Sequence, residues 1–297
     1  MPLITIPNRR EFLRTVAVST GVTALAARLT SAQTANAKSI HWAILSDTHL
    51  SADPKNEYRG FRPYDNLARV IPEVKKTNPE VVLINGDLAR LEGLPADYEL
   101  LKTMLQPIAD QTPLCLSLGN HDDRKNFLTA LGKPGKGQPQ PVQNRNVLVV
   151  DQPPVRILIL DSLMTVNQAP GLLGKAQRGW LDGFLKSSDQ TPVLIFVHHT
   201  VDDSDTGLLD ADRLLAMVTP HKKVKAIVFG HSHMYRYTQV AGIHLINVPA
   251  IGYNFADSEP VGWVDSVIAK DGGDFTLHAF GGNTQQNGKT TSLHWRG

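Results

Sequence analysis

The sequence predicts an α/β fold, and two patterns carry that expectation. Short apolar runs rich in β-branched residues alternate with segments of helical period, and the runs are apolar at nearly every position. Strands of that kind are buried on both faces, as in a parallel sheet covered by helices. Beyond His233 the alternation ends, and longer strand-like stretches follow one another around a Gly-Gly turn. The first apolar run is Ile40–Asp47, followed by a helical period over Tyr64–Lys76. Glu80–Asp87 and Pro113–Asn120 read as strands, with helices expected at Ala96–Ala109 and Arg124–Leu131. Gly132–Pro141, rich in Gly, Pro, Lys and Gln, reads as an exposed loop. Strands are then expected at Val155–Asp161, Pro192–His199 and Lys225–His231, and helices at Ala176–Lys186 and Leu208–Val218. Tyr235–Ala250 and Val261–Phe280 read as antiparallel strands, with Asp271-Gly272-Gly273 as a hairpin turn.

Composition narrows the class. With 41% hydrophobic and 20% charged residues, the chain of 297 is neither disordered nor fibrous. A net charge of +2 without a Lys/Arg run argues against a nucleic-acid binder, and no polymeric nucleic acid is expected as partner. Cys115, the single cysteine, excludes an intrachain disulfide and any multi-cysteine metal site, and it reads as a small core residue.

Residues 1–37 read as a leader. Asn8-Arg9-Arg10-Glu11-Phe12-Leu13-Arg14 precedes an uncharged run from Thr15 to Ala27, and Ala35-Asn36-Ala37 offers a small-residue cleavage site. The run is shorter than the roughly 20 residues needed to cross a bilayer. The paired arginines with Phe-Leu behind them resemble the twin-arginine export signal. That resemblance implies the twin-arginine machinery as partner, a periplasmic or secreted protein, and no stable membrane anchor once the leader is removed. Cleavage takes away four arginines and one glutamate, turning +2 into −1 for residues 38–297, which are expected to form one domain.

The chemistry-bearing residues gather at strand ends. Five apolar runs finish in Ser46-Asp47-Thr48-His49, Asn85-Gly86-Asp87, Gly119-Asn120-His121-Asp122, His198-His199 and Gly230-His231-Ser232-His233. In α/β sheets the carboxyl ends of parallel strands form the binding edge. Carboxylates and imidazoles crowded there call for a divalent cation, for which Asp and His are common donors. In Asp-x-His and His-x-His, residues i and i+2 leaving a strand can turn toward one point.

The order Asp-x-His, Gly-Asp, Gly-Asn-His-Asp, His, Gly-His-x-His resembles that of the calcineurin-like metallophosphoesterases, over most of the chain from Ile40 to beyond His233. The resemblance implies a four-layer α/β/β/α sandwich holding two divalent transition-metal ions, Fe, Mn or Zn. Asp47, His49 and His233 would bind the first and Asn120, His198 and His231 the second, with Asp87 between them. It further implies catalysis by His121 near the scissile phosphate, held by Asp122, with attack by a hydroxide bridging the metals on a small phosphate ester. Purple acid phosphatases carry Tyr where Arg90 stands, and Ser/Thr protein phosphatases carry Gly-Asp-x-Val-Asp-Arg-Gly where this chain reads Gly-Asp-Leu-Ala-Arg-Leu-Glu. The pattern is closest to bacterial class III cyclic-nucleotide phosphodiesterases and glycerophosphodiesterases, which implies phosphodiester hydrolysis. Phosphomonoesters and nucleotide pyrophosphates are the alternative substrates, and a non-catalytic metal-binding scaffold is the alternative of another class. Those phosphodiesterases usually continue His-His-Pro-Pro, whereas His198-His199 runs into Thr200-Val201-Asp202-Asp203.

Other residues are weaker candidates. Asp161 is expected to cap the next segment, and His244 to be a core or surface histidine. His199 is open between the pocket and a supporting role. Arg59, Arg62 and Tyr64 are expected on a solvated loop.

Overall fold

A computed structural model describes residues 39–132 and 138–297, so the leader assigned to residues 1–37 lies outside the described residues. The five predicted helices are present: α1 Pro63–Thr77, α2 Pro95–Ala109, α3 Arg124–Leu131, α4 Gly174–Ser187 and α5 Ala211–Val218. Their ends have local causes. α1 opens on Pro63, whose missing N–H is no loss in a first turn, and stops at Asn78 with φ 53°. α3 is capped by Asp123, whose carboxylate accepts from the Asn126 N–H at 2.8 Å. Leu208 lies outside α5, and the helix begins only after Asp210, whose carboxylate is occupied by the Leu173 and Gly174 N–H groups.

The strands form two sheets. β1 Ser39–Leu45, β2 Val81–Asn85 and β3 Leu114–Ser117 run parallel, extended on the other side of β1 by antiparallel β11 Pro260–Ala269, β12 Gly272–Gly282 and β13 Thr290–His294. The second sheet has parallel β6 Val155–Ile159, β7 Val193–Phe196, β8 Val224–Phe229 and β10 Ile243–Asn247 at its centre. It is flanked by β4 Gln138–Pro139 and β5 Leu148–Gln152 on one side and β9 Arg236–Val240 on the other.

Strand alternation sorts side chains into three cores. On β1, Trp42 and Ile44 point between the sheets, where they join Leu83, Ile157, Leu194, Phe196, Val228 and Cys115. Ala43 and Leu45 point the other way, under α1, α2 and α3. Ile195 and Ile227 do the same under α4 and α5. Two packed sheets between two helical layers is the expected sandwich.

Three expectations need correction. Within the expected loop Gly132–Pro141, Gln138 and Pro139 pair with β5 as a short strand. The β11–β12 turn falls on Lys270-Asp271, and Gly272 and Gly273 already pair inside β12. Strands β5 and β13 were not predicted. β5 is marked only by the short buried run Val147–Val150, cut by Asp151, and β13 is a polar edge strand that alternates between exposed and half-buried positions with none buried. The run at β5 is at the lower limit of length for a buried strand, and β13 has none.

Candidate metal centre

All five motif-bearing strands end at one edge, where the two sheets meet. The strands stop early: each predicted run continues two or three residues past the ladder, and those residues carry the site. Asp47, His49, Asp87, His231 and His233 have φ between 44° and 68°. Left-handed backbone costs a non-glycine residue roughly 1–3 kcal/mol and collects at functional sites. It bends the chain out of its extended path, so both members of Asp47-x-His49 and His231-x-His233 turn inward. Backbone bonds lock the turns: Asp47 N–H to Gly86 O at 3.1 Å, His49 N–H to Asp87 O at 2.9 Å and Gly230 N–H to His198 O at 3.0 Å. Two glycines allow the approach. A Cβ on Gly119 would lie 2.1 Å from Asp87 Oδ1, and one on Gly230 would lie 2.3 Å from Asp47 Oδ2.

Asp47, His49 and His233 bring their ligand atoms within 4.8 Å of one another, as do Asp87, His198 and His231. A third set, His49, Asp87 and His121, puts Asp87 between the other two. The Asn120 Oδ1 atom joins the second group, 2.9 Å from His231 Nδ1.

The tautomers show what this arrangement is suited to hold. One ring nitrogen of each histidine faces a backbone carbonyl and must donate to it. His49 Nδ1–H points to Arg90 O at 3.4 Å, His233 Nδ1–H to Tyr253 O at 2.5 Å, His198 Nδ1–H to Asn85 O at 2.8 Å, and His231 Nε2–H to Thr206 O at 2.8 Å. The other nitrogen of each neutral ring is then a bare lone pair. His49 Nε2 and His233 Nε2 face each other at 3.0 Å, and His231 Nδ1 faces the Asn120 oxygen. Buried His198 Nε2 lies 3.3 Å from Asp87 Oδ2 without the alignment of a hydrogen bond. Lone pairs converging in a buried site repel unless a cation sits among them, so the residues fit divalent metal.

The charges agree with that reading at His49 and His231, while His198 without metal keeps a proton that an ion would replace. Burial pushes His49 down to about 3 and His231 down to about 4, keeping both as neutral donors. Burial works against charge on His198 as well, but the Asp87 and Asp47 carboxylates push it up to about 10. Burial would raise both aspartates; the imidazole of His198 nevertheless holds each below the usual carboxylate range, with His233 assisting at Asp47 and His121 at Asp87.

His121 stands at the mouth. Its backbone N–H donates to Asp87 Oδ1 at 2.9 Å and its Nδ1–H to Leu91 O at 3.0 Å, leaving Nε2 4.0 Å from Asp87 Oδ2. Asp122 does not hold the ring. Its carboxylate accepts from the N–H groups of Gly119, Leu88 and Ala89 and from the Tyr98 hydroxyl, at 2.8–3.1 Å. It therefore ties the loop after β2 to the loop after β3, and burial and nearby Asp87 push it up to about 6.

His199 lies behind the second group, with its ring centroid 4.7 Å from that of His231 and its Nδ1 2.6 Å from Ser162 Oγ. Asp161 bonds the Leu163 N–H locally, but its main partner is Arg124, at 2.7 and 2.8 Å. His244 is buried and Arg59 is exposed. Arg62 pairs with Asp65, whereas Tyr64 belongs to α1 and packs on the core. Sequence reading missed Tyr253. Its carbonyl orients His233 and its ring stacks on His49 at 4.7 Å, yet it sits twenty residues beyond the last motif with no local signature.

Comparison with known proteins is consistent with this geometry. The profile of the family described as calcineurin-like phosphoesterase matches residues 40–235. A probable cyclic nucleotide phosphodiesterase of Synechococcus sp. is 29% identical over 246 residues, covering 80% of this chain and 91% of that protein. A glycerophosphodiester phosphodiesterase of Enterobacter lignolyticus is 26% identical over 230 residues, covering 73% of this chain and 81% of that one. Among solved structures, a dimetal phosphatase from Danio rerio superposes with a TM-score of 0.68 at 15% identity, over 86% of this chain and 99% of the other. That likeness is one of fold.

Proposed function

The chain belongs to the calcineurin-like phosphoesterases, and on that premise we propose that it is an exported dinuclear-metal phosphodiesterase acting on cyclic-nucleotide or glycerophosphodiester substrates. Its relatives are named phosphodiesterases, and hydrolysis of phosphoric esters is the activity of the family. One observation carries the dinuclear reading: Asp87 belongs to the second group of converging donors, and its Oδ2 lies 3.6 Å from His49 Nε2 of the first, so it stands between the two. Asp47, His49 and His233 would hold one ion and Asn120, His198 and His231 the other, with Asp87 available to both. Fe, Mn and Zn all suit this mixed oxygen and nitrogen set.

Bound there, two divalent ions supply Lewis acidity toward the phosphoryl oxygens and an activated water nucleophile. The chain's own groups do the rest. Two aspartates neutralise only half of the charge of two divalent ions, so the site attracts an anionic ester even though residues 38–297 carry −1. The Leu91 carbonyl accepts from Nδ1–H and fixes the His121 ring with Nε2 toward the site, where the ring in its imidazolium form gives the Nε2 proton to the leaving oxygen and is left neutral. Asp122 acts as a positioning residue by keeping the Asp87 and Asn120 loops in register.

Residues 1–37 serve in this proposal as a twin-arginine leader that delivers residues 38–297 to the periplasm or outside. The test is a hydrolysis panel of cyclic nucleotides, glycerophosphodiesters, mononucleotides and aryl esters with Fe, Mn and Zn, beside elemental analysis. Diester turnover with close to two ions per chain is expected. Turnover of monoesters alone would overturn the substrate reading, and one ion or none after supplementation the dinuclear one.

A further inference from the structure

Six of the eight exposed large apolar side chains among the described residues crowd one edge of the molecule: Tyr58, Leu91, Leu94, Met164, Leu209 and Phe255. They lie on the loops that leave β1, β2, β6, β7 and β10, so the polar centre has an apolar mouth. Phe255 is 50% exposed, with its ring parallel to that of His233 at 4.2 Å and 18°. Tyr58 is 41% exposed and meets the same Tyr253 ring that Phe255 meets, at 4.7 and 5.7 Å. Tyr58 is rigidly mounted. Its N–H and C=O pair with Phe61 at 2.9 and 3.0 Å around Arg59 and Gly60, both left-handed, a tight hairpin turn. The Arg90 guanidinium lies 5.1 Å from the Tyr58 ring centroid and 5.6 Å from that of Tyr253, and its Nε–H donates to Asn56 Oδ1 at 3.0 Å.

Covering His233 requires bulk, but not an aromatic ring left half in water, nor a second exposed ring beside it. Flat rings presented with a guanidinium at a phosphate-binding site suit a planar heteroaromatic body, because stacking needs a fixed face and tolerates many bases. We propose that Phe255 and Tyr58 form a stacking wall that selects phosphodiesters carrying a nucleobase-like ring over wholly aliphatic ones. This rests on the phosphodiesterase reading and adds the residues that set its specificity.

The test compares 3′,5′-cyclic AMP with the 3,5-cyclic phosphate of methyl riboside, which has the same phosphodiester ring and leaving hydroxyl but no base. The metal-loaded full chain is expected to favour cyclic AMP in KM by about 10-fold, with similar kcat. Phe255→Leu, which keeps the cover over His233 but not the flat face, is expected to abolish most of that preference, and Tyr58→Leu part of it. Calorimetric binding of AMP against ribose 5-phosphate gives the same ratio without turnover. Equal KM for the two substrates, or a preference that survives Phe255→Leu, would overturn the wall. Failure to hydrolyse either, or any other diester, would instead overturn the phosphodiesterase reading.

Discussion

The two ligand groups use almost the same chemistry in different settings. Asp47, His49 and His233 are all buried, with Tyr253 stacked on His49 and Phe255 on His233. In the second group Asp87 and His198 are buried, but His231 is only partly so, and partly exposed His121 stands beside Asp87. One half is roofed by aromatic rings, while the other opens toward solvent beside the His121 imidazole. On the proposed function, the roofed half would hold its ion more firmly and the open half would admit the substrate.

The largest effect should come where the halves join. Asp87→Asn removes charge from both groups at once, so turnover should fall below detection and elemental analysis should show less metal at both sites; near-wild-type activity would end the shared-ligand assignment. His121→Ala removes none of the assigned ligands. It should slow esters with poor leaving groups by about 10²–10⁴-fold and aryl esters much less, and equal losses would remove the proton-donor role.

Chelation probes the asymmetry itself. Metal should leave wild-type protein in two phases, and His231→Ala should retain only the slow one; a single phase would mean that burial does not separate the halves. Asp122→Asn keeps the volume but offers one oxygen to donors that now have two. A loss of 10–100-fold in metal affinity is expected, as for other supports of ligand geometry. Unaltered affinity would confine Asp122 to loop stability.

The smallest effect is a pH dependence of the metal-free protein. His198 is raised from its ordinary 6.5 to about 10, so its proton stabilises the folded state fully below about pH 6.5, and that contribution is lost as pH rises through 10. Thermal melts of metal-free protein should decline across that window. Metal-loaded protein should not follow, since the ion replaces the proton, and calorimetry in two buffers should count about one proton released per chain. A metal-free protein equally stable at pH 6 and 10 would contradict the His198 assignment.

Much of this was legible in the chain. The six apolar runs became β1, β2, β3, β6, β7 and β8, because a strand buried on both faces must be apolar at nearly every position. The motif residues could be read because they stop those runs with polar groups that packing alone does not require. The rest was less visible for physical reasons. β5 has only the four-residue run Val147–Val150 to mark it, and β13, with no apolar run, takes its place by pairing with β12. Asp122 carries the motif's spacing, yet its four hydrogen bonds reach residues 3 to 34 positions away, which spacing cannot report.

By itself the sequence determined the alternation of buried strands with helices, the edge that would carry chemistry, and which donor types would meet there. Those follow from local periodicity and side-chain type, which each segment carries wherever it folds. Only the tertiary structure decided which nitrogen of each imidazole is bare, since that depends on the carbonyls of Asn85, Arg90, Thr206 and Tyr253 brought from distant loops. It also decided that one half of the centre is roofed and the other open. A roof is made by rings such as Tyr253 and Phe255, which have no motif and acquire their role only by being packed against one.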